Sequence, residues 1–590
     1  MTVTVHQSGR GAGHASTAQS SDISPVQEPL DPQWESRLRK IEDSRNTPVW
    51  IHLRGSDDLR RAIRHQQDRV AHGEILALPC TLVAVKDNID VAGLPTTAAC
   101  PAYQYVPEIS APAVERLVQE GAVVVGKTNM DAFATGLVGT RSPYGAPSSV
   151  LDPDLISGGS SSGSAVAVAD GLVDIALGTD TAGSGRVPAV FNGIVGLKPT
   201  KGFISTEGVV PAAESFDAVS VFAGSVAEAA HAAQVMSTGK VNPHRCSAPE
   251  SPVLGIPRPK DLDALCPEYA ASFASAVSAA EARGIETTPV DISWLLEVAR
   301  LLYDGGLVAE RYAAVGRFID DHVRDVDPTV AQIIQGARDI PAHQYLADRQ
   351  EVRKARQRLE AMLQSVDGLL LPVTTEHPRT DDVVASPRSI NARLGTFTNF
   401  ANLLEMTACA IPTEHAGIGG FGVMIMGERG DDQAVVDLSS RISGEAPVTV
   451  LPSTSVHHLA VFGAHLRGMP LHHQLTDLGA RYIDDIRTAP GYRMVSLDTR
   501  PAKPGIARFY DDDTAATIPG ELYALTPEAL AGFLVDLPAP MSLTQIELSD
   551  GRRVTGFSCD PAAYRSGEDI TRYGGWRRYI DAYGKKAEEK

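Results

Sequence analysis

Cysteine is scarce in this 590-residue chain: six residues, at 80, 100, 246, 266, 409 and 559, none paired at CxxC spacing. That excludes a disulfide scaffold and a zinc ribbon, and it reads as reduced thiols in a cytoplasm. Long apolar runs are absent too. None approaches the roughly 18 residues that a spanning helix requires, and mean hydropathy is −0.08. The opening MTVTVHQSGRGAGHASTAQSSD has no basic region followed by an apolar one, so it does not read as a secretory signal. Basic residues are in deficit: 53 Lys and Arg face 72 Asp and Glu, a net charge of −19, with a pI near 5.3. This excludes a nucleic-acid footprint and adhesion to an anionic membrane. It leaves room for an anionic substrate, because one local arginine overrides a distant negative field. What remains, 43% hydrophobic and 21% charged residues, is the composition of an ordinary soluble enzyme, long enough for up to about four domains.

Residues 1–30 are rich in Ser, Gly, Thr and Gln and predict a disordered tail. Helical patterning begins after Pro32 with Trp34, Leu38 and Ile41. Residues 81–90, TLVAVKDNID, open as an apolar strand that stops at Lys86-Asp87-Asn88. In PAVERLVQEGAVVVGKTN, Val114, Leu117 and Val118 give a helix, Gly121 ends it, and Ala122 to Val125 give an apolar strand. The same helix–glycine–strand order recurs in SAVAVADGLVDIALGTD, with Gly171 before a strand expected over Val173 to Leu177. Strands apolar on both faces need helices on both faces. Residues 31–442 therefore predict one large α/β domain. The polar, Pro-bearing stretch 443–457 predicts a linker. Residues 458–590 predict a second domain rich in strands, from VFGAHL, IARFYDDD, GELYAL, TQIELSD and RVTGFSCD.

The chemistry concentrates in residues 157–200. A Ser/Gly linker does not run straight into patterned helix and strand, and a phosphate-binding loop would need a Lys-Ser/Thr after its glycines. Residues 159–163 match GxSxG formally, but a nucleophile elbow needs a strand immediately before it, and SVLDPDLI reads as loop. Another arrangement fits better. A serine hydroxyl is a poor nucleophile until a base takes its proton. Lys86 sits at a strand end, Ser160 in one Gly-rich turn and Ser184 in another. Burial can lower a lysine pKa enough to make it that base. Small residues before Ser184 would let Thr181, Ala182, Gly183 and Ser184 aim backbone N–H groups at one oxyanion.

These stretches resemble the amidase signature family over about residues 35–440. GGSSSGSA, DTAGS, GLKPT and VAVKDNIDVAGLPTT stand where that family has its motifs. The resemblance implies a mixed sheet covered by helices and a Ser–cis-Ser–Lys triad, with Ser184 as nucleophile, Ser160 as bridge beside a non-prolyl cis peptide, and Lys86 as base. Where the family has a first glycine in the nucleophile turn, this chain has Ala182, read as substrate tuning or neutral variation. VFGAHLRGMPLHHQL, IPGELYAL and DGRRVTGFSCD are similar to the C-terminal domain of allophanate hydrolases, which implies a γ-glutamyl-cyclotransferase-like α+β fold after the amidase domain. LLYDGGLVAERYAAV resembles a substrate-recognition segment, with Tyr303 and Arg311 gripping a carboxylate. The resemblance implies hydrolysis of allophanate through N-carboxycarbamate, with the second domain assisting decarboxylation and His465 as its candidate residue. The setting would be urea or s-triazine breakdown. It also implies a homodimer, a possible urea carboxylase partner, and no metal or organic cofactor. Glu521 and Glu528 do not support cyclotransferase activity. His457-His458 and His472-His473 read as solvated, and Lys127 and Lys198 as structural or surface charges. Two alternatives remain: an amidase of another specificity with a scaffolding second domain, and an ammonia-supplying subunit of a transamidation complex.

Overall fold

The computed structural model describes residues 30–588 apart from 415–416, 418 and 510–516. All but the last residue of the expected tail lies outside these. The first domain is built on an eleven-stranded mixed sheet. In spatial order its strands are Trp50–Leu53, Val123–Thr128, Leu82–Lys86, Ile175–Asp180, Ala218–Ala223, Val195–Lys198, Thr407–Pro412, Gly422–Gly427, Gly368–Pro372, Val253–Pro257 and Glu286–Val290. The central strands are buried along their whole length, as their unbroken apolar runs require.

Two neighbours position the chemistry. Leu82–Lys86 runs parallel to Ile175–Asp180, with Val83 opposite Ile175 and Val85 opposite Leu177. Parallel neighbours end at the same edge, so Lys86 and the turn after Asp180 emerge together. That carboxyl edge is where open α/β sheets place their ligands. The helix Ser162–Ala169 packs onto these strands and is buried from Ser162 to Val168. It has almost no large side chains, which lets its backbone lie against its neighbours. A Cβ on Gly163 would stand 2.3 Å from the Val49 carbonyl oxygen and 2.6 Å from Asn129 N. The third strand begins at Ile175 rather than Val173, because the chain is still turning at Gly171, whose φ is +64°.

The second domain holds a five-stranded sheet in the order Arg481–Arg487, Pro519–Leu525, His457–Val461, Arg553–Cys559, Met541–Glu547. A three-stranded sheet of Lys503–Arg508, Tyr492–Leu497 and Glu568–Asp569 accompanies it. Its own core includes Leu459, Val461, Leu522, Ile546 and Trp576. Arg481–Arg487 and Tyr492–Leu497 were not among the expected strands. The stretch between the domains is strapped down. Val450 is buried in the first domain's core, and Gln433 bonds both Val448 O (2.8 Å) and Val450 N (3.0 Å). Arg481 of the second domain grips Asp437 of the first at 2.7 and 2.9 Å.

Candidate active site

Lys86 is fully buried, with Nζ 2.8 Å from Ser160 Oγ and 2.8 Å from Thr179 Oγ1. Burial lowers its pKa to about 7. The carboxylates of Asp131, Asp180 and Asp217 pull the other way, and Arg311 adds to the lowering. A large fraction of Lys86 is therefore neutral at physiological pH, which is the state a base needs. The Gly159–Ser160 peptide is cis. The Ser160 carbonyl accepts from Asp131 N at 3.1 Å, while the Asp131 carboxylate takes the N–H groups of Gly139 and Arg141, each at 3.0 Å.

Ser184 is buried beside this pair. Its Oγ approaches the Gly136 carbonyl at 3.5 Å, and no Ser184–Ser160 hydrogen bond is formed. The lysine–serine half of the relay is thus assembled, and the nucleophile's hydroxyl points elsewhere. Catalytic hydrogen bonds often close only when substrate is bound.

The turn carrying Ser184 is held by Asp180, a residue the sequence reading passed over. Asp180 Oδ1 accepts from Gly183 N (2.8 Å) and Arg186 Nη2 (2.9 Å). Oδ2 accepts from Gly185 N (2.8 Å) and Arg186 Nε (3.0 Å). Burial pushes the Asp180 carboxyl up, but Arg186 and the backbone donors outweigh it, and it stays below its ordinary value. This corrects the expected oxyanion hole. The Gly183 N–H is committed to Asp180, whereas those of Thr181, Ala182 and Ser184 have no partner among the described residues. Gly183 keeps another role. Its φ is +128°, and a Cβ there would lie 2.4 Å from Thr398 Oγ1. Thr398 Oγ1 donates to Ala182 O at 2.6 Å, and Asn402 Nδ2 donates to Asp180 O at 2.7 Å. Ala182 belongs to the apolar cluster of Val187, Val190 and Phe191, which favours neutral variation over substrate tuning.

Arg311 is buried. Its Nη2 donates to Tyr303 Oη at 3.0 Å, its Nη1 to Thr135 Oγ1 at 3.0 Å, and its Nε has no hydrogen-bond partner. Thr135 precedes Gly136, whose carbonyl meets Ser184, so the arginine and the nucleophile share one loop. Tyr303, Arg141, Asn391 and Asn399 line a cleft of about 850 Å³ in front of that loop.

Lys127 and Lys198 are both fully buried, so the surface reading of them fails. Lys127 pairs with Asp87 at 3.5 Å, and Lys198 caps the Pro199 carbonyl at 3.1 Å. Among the described residues one group sits at metal-ligand spacing, His244, Glu428 and Asp431; Arg245 Nε lies 3.4 Å from Asp431, so the group reads as an ion-pair network. No helix among the described residues is long and apolar enough to cross a membrane.

In the second domain His465 is buried and stacked on Phe557 with ring centroids 4.8 Å apart. Its Nε2 faces Gln474 Oε1 at 2.9 Å, which makes Nε2 the donor and leaves Nδ1 free of the proton. Burial lowers its pKa to about 4. The adjoining cavity is about 20 Å³, room for a single water. Glu521 is buried under Arg467 and Arg577, with Nε and Nη2 contacts of 3.2 and 2.9 Å. His472 is half-buried and meets Tyr523 Oη at 3.2 Å, so it is not simply solvated.

A mixed sheet that brings a buried lysine and two turn serines to one edge is the architecture of an amidohydrolase. The chain belongs to the amidase family, whose profile matches residues 35–436, and a second profile, the allophanate hydrolase C-terminal domain, matches residues 457–581. The crystal structure of Kluyveromyces lactis allophanate hydrolase superposes with a TM-score of 0.79 at 36% identity, covering 93% of this chain and 97% of that one. Urea amidolyase of Saccharomyces cerevisiae is 38% identical over 94% of this chain, and the match spans 32% of that protein's length. One subunit of the Streptococcus pneumoniae glutamyl-tRNA(Gln) amidotransferase is 52% identical over 147 residues, 25% of this chain and 30% of that one. The match to the allophanate hydrolase runs through both domains, whereas the match to the amidotransferase is confined to a quarter of the chain.

Proposed function

We propose that this protein hydrolyses allophanate, a urea bearing one carboxylate. The observation that carries the reading is Arg311: a buried guanidinium with an unsatisfied Nε, held by Tyr303 and Thr135 next to the nucleophile loop. A buried donor without a partner costs stability, and a substrate carboxylate would satisfy it.

In this reading Ser184 turns from Gly136 toward Ser160 and attacks the terminal amide carbonyl. Its proton passes to Ser160 as Ser160 gives its own to Lys86. The oxyanion rests on the free N–H groups of Thr181, Ala182 and Ser184. Lys86 returns the proton to the leaving nitrogen through Ser160, and ammonia departs. Water then attacks the acyl-enzyme by the same relay and frees N-carboxycarbamate, which loses carbon dioxide to carbamate and then a second carbon dioxide and ammonia. His465 would assist decarboxylation as a neutral imidazole. Its one-water cavity must first widen to admit the intermediate. A homodimer, and a urea carboxylase supplying the substrate, belong to the same reading.

The test is ammonia release from allophanate by wild type and Ser184→Ala. Two ammonia per allophanate, lost in the variant, supports the proposal. Wild type inactive on allophanate and active on neutral amides supports the second reading, an amidase of other specificity, to which the cleft of about 850 Å³ lends weight because allophanate is far smaller.

A further inference from the structure

The cleft in front of the Ser184 loop has a charge bias that runs against the whole molecule. Five charged residues line it: Arg141, Arg300, Arg388, Arg393 and Asp304. Four of the five are cationic in a chain where 72 acidic residues outnumber 53 basic ones. They differ in what holds them. Arg393 is neutralised by Glu376, with Nε to Oε1 at 2.6 Å. Arg141 is buried, donates to the carbonyls of Thr135 and Pro387 at 2.8 Å each, and has an Nε without a partner. Arg300 is exposed and has no ion pair among the described residues. Arg388 is exposed too, and its one polar contact is Gln332 Oε1 at 3.5 Å.

Exposed arginines usually find a carboxylate on an acidic surface, as Arg379, Arg338 and Arg572 do here. Two that do not, on the wall of the cleft serving the nucleophile, leave their field directed into it. A cleft of one sign with low-dielectric walls concentrates counter-ions of the other sign. We infer that this cleft is an anion-collecting vestibule, in which Arg300 and Arg388 enrich negatively charged amides before Arg311 binds them. The inference rests on the proposed reading for the anionic character of the substrate. It also accounts for how a strongly acidic protein admits such a substrate at all.

The test uses the full chain with Arg300→Glu and Arg388→Glu combined, both positions being exposed. The substrates are malonamate and its uncharged counterpart malonamide. The vestibule predicts that kcat/KM for malonamate falls about tenfold at low salt, that the loss shrinks as salt screens the field, and that malonamide is unaffected. In parallel, calorimetry follows malonate binding to Ser184→Ala protein with and without the two substitutions, which needs no turnover. Weaker malonate binding in the doubly substituted protein at low salt supports the inference. Equal malonamate rates, an equal loss on malonamide, or malonate binding that is absent or unchanged would overturn it. Failure of the wild type on allophanate alone would sink the substrate assignment and leave the malonamate and malonate comparisons to judge the vestibule.

Discussion

The burial of Lys86 makes the pH profile the sharpest test of the site. With a pKa of about 7, neutral Lys86 is about a tenth of the total at pH 6 and about nine-tenths at pH 8, since each unit is tenfold. If Lys86 is the base, kcat/KM on a neutral amide such as malonamide rises tenfold per pH unit below 7 and flattens above it. The neighbours give two perturbations of opposite sign. Asp131 raises the Lys86 pKa, so Asp131→Asn moves the rising limb to lower pH. Arg311 lowers it, so Arg311→Gln moves the limb to higher pH. A neutral substrate keeps the carboxylate-binding role of Arg311 out of the measurement. The same burial predicts a stability effect. Below pH 7 Lys86 is protonated both folded and unfolded, and the full desolvation cost is present. From about 7 to 10.5 the folded form is neutral while the unfolded form still binds a proton, so the cost falls as pH rises and is gone above 10.5. Lys86→Met therefore raises stability most at pH 6, by roughly 5 kcal/mol relative to pH 11, while abolishing turnover. Initial rates across pH 5–9 and denaturant unfolding at the two pH values measure both. A limb near 10, a limb that survives Lys86→Met, or a shift of both variants in the same direction would refute the assignment.

Three further outcomes follow from the geometry. Asp180→Asn strips Arg186 of its charge partner inside the protein and should cost about 3–5 kcal/mol in denaturant unfolding; a loss below 1 kcal/mol would mean Asp180 does not hold the turn. Gly183→Ala places a methyl against Thr398 Oγ1 at a positive φ, so turnover should be lost in a protein that keeps its circular dichroism spectrum, and full activity would show the turn to be loose. Tyr303→Phe removes one hydrogen-bond partner of Arg311; because hydrogen bonds to charged groups are worth about 1.5–3 kcal/mol, KM for allophanate should rise at least about tenfold with little change on malonamide, and parallel losses on both substrates would argue for a general structural role.

The residues that sequence alone picked out are those whose signal is local. Lys86 ends an apolar run, and Ser160 and Ser184 sit among glycines. What could not be read is what those residues lean on across the fold. Asp217 is 36 residues from the Thr181 hydroxyl it accepts, and Thr398 and Asn402 are more than 200 residues from the Ala182 and Asp180 carbonyls they hold. Asp180 and Arg186 are an exception, because an acid and a base bracketing a Gly-Ser-Gly turn are close enough in sequence to have suggested an ion pair closing it. In the second domain, Arg481–Arg487 escaped notice because it is an edge strand, mostly exposed and carrying two arginines and two aspartates. Charge on an edge blunts unwanted pairing, and it also erases the apolar alternation by which strands are found. Tyr492–Leu497 has burial on both faces and so lacks a clean period of two.

The surface reading of Lys127 and Lys198 failed for a reason that bears on the mechanism. A lysine is expected outside because burying its charge is costly, yet three lysines are fully buried in this domain, each at or near the end of a central strand. Lys127 is matched by a carboxylate, Asp87, and Lys198 by a backbone carbonyl with Asp180 contributing at longer range. Lys86 differs in having two hydroxyls as its close partners and no carboxylate within salt-bridge distance. A carboxylate there would fix the proton on nitrogen and hold the pKa high. Hydroxyl partners leave the proton free to move, and the ring of Asp131, Asp180 and Asp217 keeps the pKa from falling further than about 7. The same chain thus uses buried lysine as a structural cation where a carboxylate or carbonyl stands beside it, and as a base where only Ser160 and Thr179 do.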